Sequence, residues 1–366
     1  MAAGKTRKKT SRKRKAISFF GLTARALMTL AAGMSLLSCL SLFLDPVRFW
    51  FFTIFGLLFM PFFLLNLALL IWAIGRKSKA AVIPFLAILP SLFFVGKFYQ
   101  WSDSGKDAGT DAITLVSYNV GRFVQYGAGT AKDRTSCADS VVSFIKSCDA
   151  DIICLQEVQI ANAKQVKKWI NDSFKGYNSE YYVMLAGNGA FGNITLSRFP
   201  ITGKGKFDFE NSTNLALYTD IDINGQKVRI YNCHLESYGM SASRIITSIG
   251  RNEELQKTQD KMRSSIVRRP KQVAQVLKDI RECPLETIVT GDFNDTPMSH
   301  TYYMLNKDHK DTFTHAGKGF GGTFVNFRHL LRIDYVLIPK EAEAISYEVP
   351  RVRCSDHFPV VTKFAL

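Results

Sequence analysis

The chain has 366 residues, 47% of them apolar, and a net charge of +16. That length allows two ordinary domains, and that apolar content excludes a disordered chain. The charge does not argue for nucleic acid, because residues 1–15 carry +8, residues 16–97 carry +5 and residues 98–366 only the remaining +3.

Residues 1–19 form a basic tail, with Lys or Arg at most positions from Lys5 to Lys15. A membrane region is expected over residues 20–99. Its first apolar stretch runs from about Leu22 to Leu44, and Asp45-Pro46 breaks it. A second runs from about Phe49 to Ile74, followed by Arg76, Lys77 and Lys79. A third occupies 80–99, with Pro84 and Pro90 inside and Phe98, Tyr99 and Trp101 at its end. The first two are long enough for a bilayer core of roughly 30 Å. The third is short, and its aromatic end extends it through the interface. A cleaved leader is the alternative for the first stretch, but it exceeds an ordinary signal-peptide core and two apolar segments follow it.

Positive charge fixes the orientation. The tail and Arg76–Lys79 belong on the cytoplasmic side, so three crossings put the rest of the chain outside the cytoplasm. If the third stretch does not cross, the rest stays inside. The expectation is three crossings (22–44, 49–74, 80–99), in an inner membrane of bacterial type, with membrane lipid as one partner. Residues 100–111 form a linker to a soluble domain at 112–366.

Strand patterns in that domain fall at 113–118, 151–155, 181–186, 192–197, 215–223, 227–233, 286–290, 333–338 and 358–364. Asn224-Gly225 is a two-residue hairpin signal. Helical patterns fall at 134–147, 161–172 and 265–281. Many strands with few helices between them exclude a doubly wound parallel sheet and fit two packed, largely antiparallel sheets with helices outside. The seven cysteines form no Cys-x-x-Cys pair and no zinc spacing. Cys154 and Cys233 read as packed thiols. Pairing of Cys137 with Cys148 across a short helix stays open.

Several apolar runs end in acid–base or metal-type residues. Thr287–Thr290 leads into Gly291-Asp292-Phe293-Asn294-Asp295, and Ile152–Leu155 into Gln156-Glu157. Val228–Tyr231 leads into Asn232-Cys233-His234, and Thr114–Ser117 into Tyr118-Asn119. Near the end, Arg332-Ile-Asp334-Tyr-Val precedes Ser355-Asp356-His357-Phe-Pro359. Gly-Asp alone opens ordinary turns. Ionisable groups at so many strand ends are costly to bury unless a cation or partner compensates. They read as carboxylates, amides and imidazoles converging on one pocket that suits hydrolysis of an anionic ester.

Asn119, Gln156-Glu157, Gly192-Asn193 with Leu196-Ser-Arg-Phe-Pro200, Asn232 with His234-Leu235, Gly291-Asp-Phe-Asn294, Arg332-Ile-Asp334 and Ser355-Asp-His357 follow one another in an order that resembles the endonuclease/exonuclease/phosphatase superfamily. This is the deoxyribonuclease-I-like group of metal-dependent phosphoesterases. The resemblance covers roughly 112–366. It implies an α+β fold, a four-layer α/β/β/α sandwich, here preceded by an all-α transmembrane segment.

With the apolar stretches as its anchor, the resemblance implies a membrane-anchored phosphoesterase hydrolysing a phosphodiester, nuclease-like or phospholipase/sphingomyelinase-like, by metal-assisted in-line attack of water. Mg2+ (or Mn2+) would be held by Glu157, Asn119 and Asp356, since a hard cation takes few protein oxygens and keeps several waters. Asp292 would position or deprotonate the attacking water, and Asn294 would donate to the developing oxyanion. Asp334 and His357 would pair, fixing the imidazole tautomer. His234 would contact the phosphate or protonate the leaving group. The substrate would be a nucleic acid, a lipid headgroup or a small phosphodiester, and no protein partner follows from the sequence. The alternative is a catalytically inactive phosphoester-binding or scaffold protein of the same fold.

Arg198 either approaches the phosphate or braces a turn. His300, His309, His315 and His329 default to the surface. Residues 237–265, with Arg244, Arg251, Lys257, Lys261 and Arg263, read as a solvated loop or helix, or more sharply as a lid over the substrate.

Overall fold

A computed structural model of the protein describes residues 2–101, 112–124, 131–186, 189–238, 252–325 and 330–366. The chain forms two compact units, one of Met1–Leu44 with Phe51–Val95, the other of Asp45–Trp50 with Gly96–Leu366.

The first unit is helical: α1 (Ala2–Ser41), α3 (Phe59–Gly75) and α4 (Val82–Val95), with α2 (Pro46–Leu57) connecting. Helix α1 runs unbroken from the basic tail into the apolar stretch, consistent with the good helix propensity of Ala, Lys and Arg. Polar groups face inward. Asn66 Nδ2 of α3 donates to Ala31 O of α1 at 2.9 Å, and Ser35 Oγ of α1 lies 3.1 Å from Ser91 Oγ of α4. Large apolar side chains such as Leu22, Ile71 and Leu86 are exposed. Gly21–Ser41 is long and apolar enough to cross a membrane.

Neither of the two later apolar stretches is one straight helix over its whole length. The stretch 49–74 is two helices, α2 and α3, bent by 50°. The stretch 80–99 is a helix only to Val95, of 14 residues and therefore about 21 Å long. Gly96 ends it, and Tyr99–Gln100 (β1) instead pair with Gly319–Phe320 (β11) in the second unit. Residues 102–111 of the expected linker lie outside the described residues.

The second unit holds two six-stranded sheets. The first has the order β13-β14-β2-β3-β5-β4, formed by β2 (Ile113–Asn119), β3 (Ile152–Ile160), β4 (Asn178–Ala186), β5 (Gly189–Ser197), β13 (Glu343–Glu348) and β14 (Val360–Ala365). The second has the order β10-β12-β9-β8-β7-β6, formed by β6 (Ile201–Asp208), β7 (Leu215–Ile223), β8 (Gln226–His234), β9 (Glu286–Asp292), β10 (His309–Asp311) and β12 (Asp334–Pro339). Among the described residues only β2–β3 and β8–β9 pair in parallel. The hairpin at Asn224-Gly225 has both residues at positive φ, +53° and +97°, as a type I′ turn requires.

The central strands are buried on both faces, which accounts for their continuous apolar runs. Leu115, Cys154, Ile230, Ile288 and Val336 point between the sheets. Val116, Ile153 and Leu155 point outward, where they pack with Val141 and Ile145 of α5 (Ala131–Ser147) and Val166 and Ile170 of α6 (Ala163–Ser173). On the other side, Tyr231, Val289 and Leu337 pack with Val273 and Val276 of α7 (Asn252–Glu282) and Tyr302 and Leu305 of α8 (His300–Asn306). The result is the expected α/β/β/α order of layers. Local caps set the helix starts: Asn162 accepts from Lys164 N for α6, and Ser299 from Tyr302 N for α8. Asp311 does the same for the short α9 (Thr312–Ala316). All seven cysteines are free thiols, Cys137 and Cys148 included.

Candidate active site

Strand register gathers the polar side chains at one rim. β2 ends at Asn119, opposite Gln156 of β3, which continues beyond it to Ile160. β8 and β9 end with His234 opposite Asp292, and antiparallel β12 begins with Asp334 opposite that same Asp292. The parallel pairs deliver their C-terminal ends side by side, and His357 enters from the segment before β14.

Two backbone features aim this set. Between Leu155 and Val158 the β3–β5 register shifts, and Glu157 sits in the left-handed region at φ +54°. A bulge re-aims a side chain at the edge of a site, and such a conformation costs a non-glycine residue about 1 kcal/mol or more. Just beyond the bulge Val158 pairs with Gly192, where a Cβ would strike Tyr182 O. Gly291, at φ +122°, lets β9 approach β8 so closely that a Cβ there would collide with Cys233 O.

Asn119 Nδ2 donates to Asp292 Oδ2 at 2.9 Å and to Glu157 Oε1 at 3.3 Å. His234 Nε2 lies 3.3 Å from Glu157 Oε1 and 3.8 Å from Asp292 Oδ2. His357 Nδ1 lies 2.9 Å from Asp334 Oδ2, and its Nε2 lies 3.7 Å from Asp292 Oδ2. Asp292 Oδ1 accepts from Asn294 N at 2.8 Å. One donor atom from each of Asp292, Asp334 and His357 lies within 4.8 Å of the others.

The electrostatics divide the two imidazoles. Burial pushes His234 below the ordinary value, against the opposing pull of Glu157. Burial pulls His357 the same way, but Asp334 and Asp292 outweigh it and hold the ring well above the usual imidazole range. Burial raises the Asp292 carboxyl to about 7, reinforced by Asp334 and opposed by His357.

Asn119, Glu157, His234, Asp292, Asn294, Asp334 and His357 thus form one contiguous network. Asp356 stands one step away, its Oδ1 3.4 Å from Ser355 Oγ, which donates to Asn119 O at 2.8 Å. Asn294, expected as an oxyanion donor, turns its amide inward, with Nδ2 donating to Leu235 O at 2.9 Å and Asp292 Oδ2 at 3.1 Å. In this arrangement it braces Asp292. Gln156, Asn193 and Asn232 lie beneath the rim. Gln156 Nε2 donates to Asn232 Oδ1 at 2.8 Å, and Asn232 Nδ2 to Ile194 O at 3.0 Å, tying the two sheets together below the site.

Other residues fall elsewhere. Arg198 pairs with Asp149 and Asp151 and braces a turn. His309 is not on the surface: it is buried between Thr287 Oγ1 and Leu305 O, both at 2.8 Å. His315 is exposed, His300 is half-buried, and His329 lies outside the described residues. Lys257, Lys261 and Arg263 belong to α7, whereas Arg244 and Arg251 lie outside the described residues.

Sequence reasoning missed three neighbours of the site. Arg122 Nε lies 3.7 Å from Glu157 Oε2, and its guanidinium sits 5.0 Å from the Phe191 ring. Phe324 bridges to His357, with the rings 5.1 Å apart. Arg269 of α7 is buried, with Nη1 2.5 Å from Asp295 Oδ2 and Nε donating to Glu236 O at 2.8 Å, so it holds the segments after both His234 and Asp292. Arg122 follows Asn119 closely enough to have been noticed. Phe324 and Arg269 carry no local signal, since only tertiary pairing brings them there.

Comparison with known proteins agrees with this geometry. Residues 116–357 match the Endonuclease/Exonuclease/phosphatase family, and residues 19–98 match a domain of unknown function, DUF8431. No curated protein matches the chain. Among solved structures, an endonuclease/exonuclease/phosphatase from Beutenbergia cavernae is similar at TM-score 0.50 and 18% identity, covering 70% of this chain and 72% of that one. A humanized D. rerio TDP2 is similar at TM-score 0.52 and 18% identity, covering 70% and 100%. A Bacteroides vulgatus endonuclease/exonuclease/phosphatase is similar at TM-score 0.51 and 17% identity, covering 70% and 99%. At these identities the structural likeness speaks for the fold, and the match over 116–357 speaks for the family. The chain belongs to the endonuclease/exonuclease/phosphatase family of phosphoester hydrolases.

Proposed function

We propose that the protein is a membrane-anchored, divalent-metal-dependent phosphodiesterase whose machinery is the rim described above. The observation that carries the reading is the joining of the Asp334–His357 pair, Asp292, His234 and Glu157 at the ends of strands from two sheets. The residues fit a hard cation. Glu157, Asp292 and Asp334 place more carboxylate in this partly dry rim than His357 and Arg122 balance, and hard oxygen donors suit Mg2+ or Mn2+. Glu157 and Asn119 would hold it, with Asp356 as the further carboxylate next to the Asn119 turn. When bound, the cation neutralises charge on the phosphoryl oxygens.

The chain's own groups do the rest. His357, kept charged by Asp334, donates to a phosphoryl oxygen as negative charge develops. Asp292, held by Asn119 and Asn294, takes the proton of the attacking water. His234, buried and neutral, stands beside Glu157 to serve the leaving oxygen. The substrate class is a phosphodiester of a nucleic acid, a lipid headgroup or a small molecule.

Membrane anchoring is supported by the inverted packing of the first unit, with Ser35, Asn66 and Ser91 buried and large apolar side chains outward. In this reading the basic tail and Arg76–Lys79 stay in the cytoplasm and the catalytic unit, residues 112–366, works on the other side. A reporter fused after Leu366 tests that side.

The activity test uses the full chain in detergent with bis(p-nitrophenyl) phosphate and natural phosphodiesters, in Mg2+ or Mn2+. EDTA and Glu157→Gln should each lower hydrolysis by about 100-fold or more. Full activity of folded Glu157→Gln, or wild-type inertness toward every phosphodiester, would overturn the reading.

A further inference from the structure

The residues after the last apolar helix belong to the catalytic unit. Tyr99 pairs with Phe320 and Gln100 with Gly319 in a two-stranded ribbon outside the large sheets. The Tyr99 ring lies 4.8 Å from Trp101 and 4.9 Å from Phe320, edge-on to both. Trp101 is 85% exposed and Phe320 45%. Residues far apart in sequence thus build one exposed aromatic cluster. Its flanks, Gly96–Trp101 and Gly317–Gly321, carry no acidic residue and contribute the exposed Lys318, while Lys97 turns back to the domain.

The ribbon is fixed to the domain from behind. Phe98 is buried. Arg332 Nη2 donates to Lys97 O at 3.0 Å, and Lys97 Nζ lies 4.7 Å from the centre of the Tyr302 ring. Arg332 is itself buried against Asp311, at 2.7 Å. The cluster therefore cannot fold back into the core.

Chain reach limits where it can be. Tyr99 is four residues beyond Val95, the end of α4, so the two are at most about 14 Å apart. If α4 lies in a bilayer, that reach keeps the cluster within about 14 Å of the helix end, the depth of the headgroup region, and rings with a polar edge beside a lysine are side chains that partition there. A protein partner would need a larger apolar patch than these rings offer.

We infer that Tyr99, Trp101 and Phe320 form a membrane-docking surface of the catalytic unit, whose occupant is the headgroup–acyl boundary of the bilayer. The inference rests on the membrane-anchored reading above. Because Arg332 grips this ribbon and opens the segment that carries Asp334, docking would hold the catalytic pair at a set height over the lipid.

The test uses the full chain in nanodiscs of phosphatidylcholine and phosphatidylglycerol carrying a quencher at a shallow or a deep acyl position. Emission of Trp101 is taken as the difference between wild type and Trp101→Phe, and that of Trp72, within α3, from Trp72→Phe. Trp72 should be quenched. Trp101 should be blue-shifted and quenched by the shallow label in preference to the deep one. Phe320→Ser should reduce that shallow quenching while hydrolysis of a soluble phosphodiester is unchanged. Quenching of Trp72 with an unquenched Trp101 overturns the docking surface and leaves the anchored reading standing. Absence of quenching at both positions overturns the anchored reading and the inference with it.

Discussion

Asp292→Asn should make the metal-free protein more stable at neutral pH while abolishing hydrolysis. The Asp292 side chain is 1% exposed, and its carboxyl is raised from the ordinary 3.8 to about 7. A raised carboxyl binds its proton in the folded state where the unfolded chain has released it. The folded state is therefore penalised as pH rises from the lower value to the upper, and the penalty is complete above about 7. At 1.36 kcal/mol per unit this amounts to at most about 4 kcal/mol.

Asparagine removes that penalty. Its amide also meets the donor groups of Asn119 and Asn294, which now donate to Asp292 Oδ2. Leaving buried donors without acceptors costs about 1–3 kcal/mol. The variant should be about 1–3 kcal/mol more stable than wild type at pH 8 and less stable by a similar amount at pH 4. Pulse proteolysis in urea, with the full chain in detergent and EDTA, reads this difference across the range. The raised His357 adds stability that is complete below its unfolded value and lost only as pH climbs through its higher folded one. Asp334, the larger of its two supports, stays in the variant, but the loss of Asp292 weakens the hold on His357, so the variant loses part of this low-pH stability and the difference between the two proteins shifts in the same direction. A difference that stays flat from pH 4 to pH 8 would refute the claim that burial of this carboxylate is a stability cost.

Asp334→Asn removes the charge behind His357, so the imidazolium is lost at lower pH. The alkaline limb of the pH–rate profile should move down in pH, and kcat should fall about 10²–10⁴-fold; an unmoved limb would exclude His357 as the charged group. Arg269→Met strands Asp295 in the interior and should cost about 3–5 kcal/mol by urea midpoint, with part of the loss recovered in the Arg269→Met/Asp295→Asn double variant. Gly291→Ala meets both a positive φ and the Cys233 carbonyl, and should lower stability by about 2–4 kcal/mol, read as a fall in the urea midpoint or in the yield of folded protein.

Much of the rim was legible in the sequence because apolar runs that stop at Asn119, Glu157, His234 and Asp292 would bury polar groups at a loss unless those groups met one another. The strand at 215–223 and its hairpin were legible for a different reason, a turn dipeptide that demands positive φ. What was hidden depended on partners. β6 alternates half-buried and exposed residues but carries Gly203, Gly205 and two lysines, so its local propensity for a strand is weak. The bulge at Glu157 uses no glycine on its own strand and so leaves no local mark. Phe98, Tyr99 and Trp101 read as the aromatic end of a crossing helix, and only the pairing of Tyr99 with Phe320 withdraws them from it. The inward turn of the Asn294 amide depends on Leu235 O, which no local pattern announces.

The two imidazoles show how one rim can supply both a charged and a neutral group. Both are almost fully buried, and burial alone would discharge each of them. His357 has a carboxylate at 2.9 Å behind Nδ1, and the charge wins. His234 has no hydrogen-bond partner for Nδ1 among the described residues, and its nearest carboxylate, Glu157, lies at 3.3 Å on the Nε2 side. Glu157 is also half-committed to Asn119 and to Arg122, so the pull on His234 is weaker and burial wins. Groups driven apart in this way are the ones to which acid–base roles can be assigned. The direction for His234 would hold still more firmly with a cation on Glu157, since a bound cation would offset the larger of the two carboxylates, Glu157 and Asp334, that oppose its neutrality. The difference between the two rings therefore comes from what stands behind Nδ1, and the strand register that sets Asp334 against Asp292 is what gives His357 its backing.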